Sequence, residues 1–217
     1  MNAEDFANHL HRSLAKRKVE LTDVRIYIRQ LSGGASTGNW AERSAIVLAY
    51  AHWEGFVKES SVRYIKLINS RGVRVDRLNL SLQAACLASH FKRAQGSVKI
   101  GYLGSILSEM DARRCEVFRL SPEKIVDTES NLSSTAFKGL VIALGLDYLD
   151  TYATRQAFID EKLVHGRNQV AHGEMVSFTS MEAIDRIDGV LVLLQEYTDQ
   201  LIDAVRDEVF FLLGRRA

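Results

Sequence analysis

An arginine, an asparagine and a histidine crowd the short stretch His165-Gly166-Arg167-Asn168-Gln169-Val170-Ala171-His172-Gly173-Glu174. A guanidinium keeps its charge throughout the physiological range and can grip a phosphate through two parallel N–H donors. An imidazole titrates near neutrality and can take or give a proton there. Arg167 and His172 therefore have the makings of acid–base chemistry at a phosphate, with the Asn168 side chain placed to hold the His172 ring or to donate to a phosphate oxygen. Gly166 and Gly173 bracket the stretch, so the backbone is expected to turn sharply and let another molecule approach. If Arg167 to His172 is helical, Asn168 and His172 share a face while Arg167 lies about 140° round from His172. A single chain then splays the two apart.

The elements that must position these groups read as helices. The chain has 217 residues and one proline, Pro122, with 47% hydrophobic and 25% charged residues. That is enough apolar material for one domain, and it excludes a disordered or fibrous chain. With the strongest helix breaker nearly absent, an all-α fold is expected. Ile184, Ile187, Leu191, Leu194, Leu201, Val205 and Val209 recur at helical spacing, and Thr179 with Glu182 has the spacing of a capping box. These predict a final helix from Ser180 to about Leu213. A second long helix is predicted from Trp40 to Ser70, with Asn39 and Glu42 as its start and Gly72 as its stop. Its inner face would carry Ile46, Tyr50, Trp53, Phe56, Val57, Tyr64 and Ile68. The pattern from Ala3 to Leu31 is helical too, joined to the next helix by a glycine-rich connector over 33–38. The stretch 73–150 is less regular, with helices expected at Leu80–Arg93, Leu103–Phe118 and Ser134–Leu144 and a cap and first turn at Ser121-Pro122-Glu123. The whole chain, 1–217, reads as one helical bundle with 73–150 as a helical insertion packed at one end.

At this point a resemblance enters. Arg167-Asn168-Gln169-Val170-Ala171-His172-Gly173 resembles the R-x(4-6)-H motif of the HEPN superfamily, in the version with Asn in second place. Tyr50-Ala51-His52-Trp53-Glu54-Gly55-Phe56-Val57-Lys58 resembles the second-helix signature of a stand-alone bacterial branch related to the RiboL-PSP-HEPN proteins. A helix bearing Trp53 and Glu54, a variable middle, the Arg/His motif and a closing helix follow that order from about residue 3 to 210.

The resemblance implies a HEPN-type bundle and, as in many members, a metal-independent endoribonuclease of toxin–antitoxin, abortive-infection or CRISPR systems. Cleaving RNA without a metal uses the ribose 2′-hydroxyl as nucleophile. It requires a base for that proton, a donor for the departing 5′-oxygen, and positive charge on the phosphoryl oxygens. One histidine cannot easily be both acid and base. The resemblance therefore implies a homodimer in which a two-fold axis brings two copies of Arg167 and His172 into one composite site, giving a 2′,3′-cyclic phosphate and a 5′-hydroxyl. Glu174 stands where one sub-branch carries a tyrosine that is modified by a partner, so silencing at that position is disfavoured. An antitoxin or defence-system partner could still cover the cleft. The alternative is a non-catalytic HEPN module that binds RNA, nucleotide or a partner protein.

Of the supporting residues, Glu54 would orient His172 or pair with Arg167, or else be a buried carboxylate paired with a local Lys or Arg. His165 would sit at the mouth of the cleft. Tyr50 and Trp53 read as core rather than as platforms for bases. His9, His11, His52 and His90 read as structural or solvated. No metal-ligand spacing is present and no cofactor is expected. Cys86 and Cys115 read as reduced, buried thiols. With 28 basic against 27 acidic residues, no whole-molecule field draws the chain to nucleic acid, so any basic site must be local. Lys16-Arg17-Lys18, Lys92-Arg93, Arg113-Arg114 and Arg215-Arg216 are the clusters that could follow a polynucleotide, against the plainer reading of solvated faces. No targeting or membrane-spanning segment is evident, and a cytoplasmic protein with no membrane partner is expected.

Overall fold

A computed structural model describes residues 1–31, 39–96, 98–126 and 131–212. The predicted connector at 33–38, most of the turn predicted at 127–131, and Arg215-Arg216 lie outside them. Among the described residues there are eight α-helices and no strand: α1 (Ala3–Leu31), α2 (Trp40–Ser70), α3 (Leu80–Ala94), α4 (Ile100–Cys115), α5 (Ser134–Ala143), α6 (Asp150–Ala153), α7 (Gly166–Ala171) and α8 (Ser180–Arg206). The all-α reading of the sequence holds. None of the described helices is long and apolar enough to cross a membrane.

The helices α1, α2 and α8 pack on one another through apolar residues at helical spacing. Phe6, Leu10, Leu14, Leu21 and Ile28 of α1 are buried against Trp53, Phe56 and Tyr64 of α2 and Ile187, Val190, Leu194 and Leu201 of α8. Burying a side chain of this size is worth about 1.5–3 kcal/mol, far more than helix propensity supplies. The α5 residue Phe137 enters the same core, with its ring centre 4.8 Å from Trp53, 5.0 Å from Tyr152 and 5.5 Å from Tyr197 in edge-on contacts. The Tyr197 hydroxyl is partnered by Ser61 Oγ at 2.7 Å, so its burial strands no polar group. Helices α3 and α4 pair with each other beside this core.

Helix ends follow their local chemistry except at α4, which runs Ile100–Cys115 rather than Leu103–Phe118 with the Phe118 N–H donated to the Val73 carbonyl at 2.7 Å, and in two further places. The predicted stop of α2 is real: Gly72 has φ +64°, which a glycine adopts without penalty. The capping box of α8 is present, with Glu182 N–H donating to Thr179 Oγ1 at 3.1 Å and Thr179 N–H to Glu182 Oε2 at 2.8 Å. Asn39 does stand at the start of α2, but its side chain does not cap the helix. It takes φ 63°, and its amide clasps the backbone of Phe178, whose N–H donates to Asn39 Oδ1 at 2.8 Å. The other exception is α8, which stops at Arg206 rather than near Leu213. Glu208 turns left-handed (φ 52°), and the strand-like exit pairs with the segment before α3, where Asn79 N–H donates to the Phe210 carbonyl at 2.8 Å. Burial of Phe210 overrides the helical spacing there. The cysteines also differ from expectation, Cys115 being exposed and Cys86 partly so.

Candidate active site

The motif rides on α7, which continues a π-helical segment, Phe158–His165. A π turn shifts the phase of whatever follows it and is found mostly at functional places in helices. Here it is fitted to α8: a Cβ on Gly189 would come within 2.2 Å of the Phe158 ring, so only glycine lets that ring seat. Arg186 of α8 fastens the same segment. Its buried guanidinium donates from Nε to the Lys162 carbonyl at 3.0 Å and from Nη1 to the Glu182 carbonyl at 2.8 Å, and lies 5.1 Å from the centre of the Phe178 ring.

The two motif glycines do different work, and only one of them turns the chain. Gly166 is helical (φ −58°), and an added Cβ would meet Ile46 of α2 at 3.4 Å; it lets α7 approach α2 closely. Gly173 has φ +77°. Its N–H donates to the Val170 carbonyl at 3.1 Å and the Glu174 N–H to the Gln169 carbonyl at 2.9 Å, the paired bonds of a Schellman end. His172 is thereby made the residue that caps the end of α7, and it is exposed.

Arg167 turns the other way, toward α2. Its Nη1 donates to Asn131 Oδ1 at 3.0 Å and to Asn168 Oδ1 at 2.8 Å, and its guanidinium carbon lies 5.1 Å from the centre of the Tyr50 ring. The buried Tyr50 hydroxyl accepts the Leu132 N–H at 2.8 Å, and the Glu54 carboxylate, one turn further along α2, acts on it electrostatically. Trp53 Nε1 donates to the Leu132 carbonyl at 3.4 Å. The pair 131–132 is thus held between α2 and the motif arginine. Burial is the largest influence on the Tyr50 phenol. It wins over the opposing Leu132 N–H and Arg167 charge, and with help from Glu54 the phenol is pushed up to about 12. Tyr50 therefore stays neutral.

The expected residues are therefore divided. Arg167, Asn168 and Glu54 converge on Tyr50 and Asn131. Among the described residues the His172 ring has no hydrogen-bond partner, and His165 is exposed at the junction of the π segment and α7. Asn168 departs from expectation: its side chain accepts from Arg167, and it reaches His172 only through its backbone carbonyl, which the His172 N–H meets at 2.9 Å. Among the described residues Glu54 makes no hydrogen bond or ion pair with His172 or Arg167; its charge acts on the Tyr50 phenol. Sequence reasoning treated Tyr50 as plain core and passed over Asn131. The four-residue step from Tyr50 to Glu54 was the available signal for the first. Asn131, 36 residues before Arg167, carried none.

Arg43 of α2 donates from Nη2 to the Glu174 carbonyl at 2.9 Å, tying the loop after Gly173 to the same helix. The result is a guanidinium aimed by three side chains, with an unencumbered imidazole at the end of the same short helix. Such a pair can hold an anionic group and move a proton beside it. Among the described residues, no three His, Cys, Asp or Glu side chains are grouped to hold a metal ion.

The RiboL-PSP-HEPN family model matches residues 12–203, from the third turn of α1 through the motif and most of α8. No curated protein and no solved structure matches the chain.

Proposed function

Because the chain belongs to the RiboL-PSP-HEPN family, we propose that it is a metal-independent endoribonuclease that cleaves RNA by 2′-hydroxyl attack and acts in the cytoplasm as a toxin or anti-phage effector. The observation that carries this reading is the division within α7: Arg167 is held by Asn131, Asn168 and the Tyr50 ring, while His172 stands exposed with its ring unengaged. Arg167 supplies charge to the phosphoryl oxygens and His172 moves protons. A second copy of the chain supplies the second imidazole. A groove of about 530 Å³ beside α7, lined by Trp40, Val47, Leu48, Ala51 and Val170 together with the polar Arg43 and Ser44, supports that pairing. It is mostly apolar, and Trp40 is 55% exposed, a surface that gains by being covered. The silencing partner would then be a protein that covers this cleft.

The test is cleavage of RNA in chelator by purified protein and by His172→Ala and Arg167→Ala. The reading expects loss of at least about a hundredfold in each variant, products ending in a 2′,3′-cyclic phosphate and a 5′-hydroxyl, and resistance of a 2′-deoxy linkage. Full activity in either variant ends it. A second reading is favoured by the engagement of Arg167 within its own chain, which suits a structural tie in a non-catalytic module binding RNA, nucleotide or a protein. Binding of RNA without degradation would favour that reading.

A further inference from the structure

Asp160 lies in the π-helical segment, seven residues before Arg167 on the same continuous run of helix, and the Arg/His motif does not include it. Its carboxylate serves a single residue. Ser134, at the start of α5, donates to it twice, from its N–H to Oδ1 at 2.7 Å and from Oγ to Oδ2 at 2.5 Å. Ser134 is buried, and two donors of one residue on a charged acceptor fix both its place and its orientation. Ser133 holds the same turn from the other side. Its Oγ accepts the Ala136 N–H at 3.1 Å, and its N–H donates to the Asn131 carbonyl at 2.9 Å.

Residues 131–134 therefore form a strap tied at three places. Leu132 is tied to α2 by the Tyr50 hydroxyl and Trp53 Nε1, Ser134 to the π segment by Asp160, and Asn131 reaches out from these two anchors to accept from Arg167. The last two contacts close a ring, which runs from Asp160 across to Ser134, back along the strap to Asn131, across to Arg167 and home along the helix. Leu132 alone would leave the strap free to pivot on α2, carrying the Asn131 amide and the guanidinium with it. Asp160 removes that pivot. A carboxylate suits the place, because the Ser134 N–H belongs to the first turn of α5, where unpaired backbone donors favour negative charge. Among the described residues no Lys or Arg forms an ion pair with Asp160, so these two donors answer its charge.

We propose that Asp160 is a positioning residue for Arg167: its grip on Ser134 fixes Asn131, and Asn131 sets the direction in which the guanidinium fork meets a phosphate. The consequence for the cleavage rate rests on the nuclease reading above; the consequence for the Arg167 side chain does not. Asp160 acts through Ser134 and not on the substrate, so its charge is dispensable wherever its two contacts survive. Asparagine can reproduce them, its amide oxygen accepting the Ser134 N–H and its NH2 donating to Ser134 Oγ. Alanine cannot.

The experiment compares the full chain with Asp160→Asn, Asp160→Ala and Asn79→Ala, the last removing the side chain that caps α3, a loss of similar kind away from the motif. Each protein gives two readouts: steady-state RNA cleavage in chelator, and the Arg167 Nε–H signal in 15N-edited NMR spectra, identified by its disappearance in Arg167→Lys. Asp160→Ala should lower kcat by about ten- to a hundredfold with KM little changed, the cost of a misplaced charged donor, and should move the Arg167 signal toward that of a solvated arginine. Asp160→Asn should stay within about threefold of the full chain and keep the signal, and Asn79→Ala should change neither readout. The loss caused by Asp160→Ala should shrink in an Arg167→Lys background, as expected of residues acting in series. An unmoved Arg167 signal with full kcat in Asp160→Ala, an asparagine variant as slow as the alanine one, or a loss undiminished beside Arg167→Lys overturns the proposal. Ser134→Ala keeps the N–H bond and loses the hydroxyl; it should show the same changes in smaller measure, and where Asp160→Ala does not fold, the absence of any change in Ser134→Ala overturns the proposal. Failure of the full chain to cleave RNA removes the nuclease reading, and the Arg167 signal then decides this proposal alone.

Discussion

The guanidinium carbon of Arg167 lies 5.1 Å from the centre of the Tyr50 ring, whose hydroxyl accepts the Leu132 N–H while Asn131, the residue before it, accepts from Arg167. The core helix α2 thereby aims the motif arginine. Tyr50→Phe keeps the ring beneath the guanidinium and removes only the hydroxyl, leaving the Leu132 N–H unpaired. Chemical denaturation should show a loss of about 1–3 kcal/mol, with RNA cleavage retained in the folded fraction. A rate as low as that of Arg167→Ala, at full stability, would mean that Tyr50 meets the substrate.

Arg167→Lys keeps the charge but loses the planar fork that serves Asn131 and Asn168 together. Cleavage should fall at least tenfold while stability changes by about 1 kcal/mol or less, as for loss of a partly exposed hydrogen bond. A lysine variant with wild-type kcat/KM would show that the fork geometry is irrelevant.

Gly173→Ala places a side chain at φ +77°, where L residues are disfavoured by about 1–2 kcal/mol, and it loosens the helix end that presents His172. Gly166→Ala is helical and meets Ile46 only at 3.4 Å, so the helix gain of up to about 1 kcal/mol offsets a small repacking. Thermal melts should therefore rank Gly173→Ala as the more damaging. The reverse order would contradict the separate roles given to the two glycines.

What could be read from sequence was what local chemistry dictates. The limits of α2, its buried face and the capping box of α8 rest on spacing and on residues within one turn, and they stand in the structure. Two of the misreadings are decided by distant partners. Asn39 looked like a cap, but Phe178, 139 residues on, takes its amide. The apolar spacing of α8 runs past Arg206, but burial of Phe210 and the contact with Asn79 bend the chain away. The motif was legible as a set of residue types; which way each one faces depends on the π-helical phase of Phe158–His165, on Gly189 and on Asn131, none of which announces itself in a linear pattern.

His52 gives a pH signature. Burial lowers its affinity for protons, and the Arg17 charge adds to this against the opposing pull of Glu20. The unfolded chain, with a histidine titrating near ~6.5, binds this proton more readily, so stability contributed here is present above ~6.5 and lost as pH falls through the lower folded value. The urea midpoint of the full chain, minus that of His52→Asn, should therefore rise from pH 5 to pH 7. Glu59 acts in a lower window. Burial raises it, but bonds from His9, Arg17 and Ser13 outweigh burial and hold it below its ordinary value, so its contribution is lost only under more acid conditions. A difference that is flat or falling with pH would place a proton on His52 in the folded protein.

The claim that bears most weight is that two chains share one catalytic centre, and an asymmetric dimer measures it. Differently tagged wild-type and His172→Ala chains, coexpressed and purified as the mixed pair, retain one intact motif per dimer. Shared catalysis predicts that the mixed pair cleaves RNA at no more than about one hundredth of the wild-type rate, since one of the two proton-transfer groups is gone. Half the wild-type rate would show that each chain works alone and would contradict the composite site.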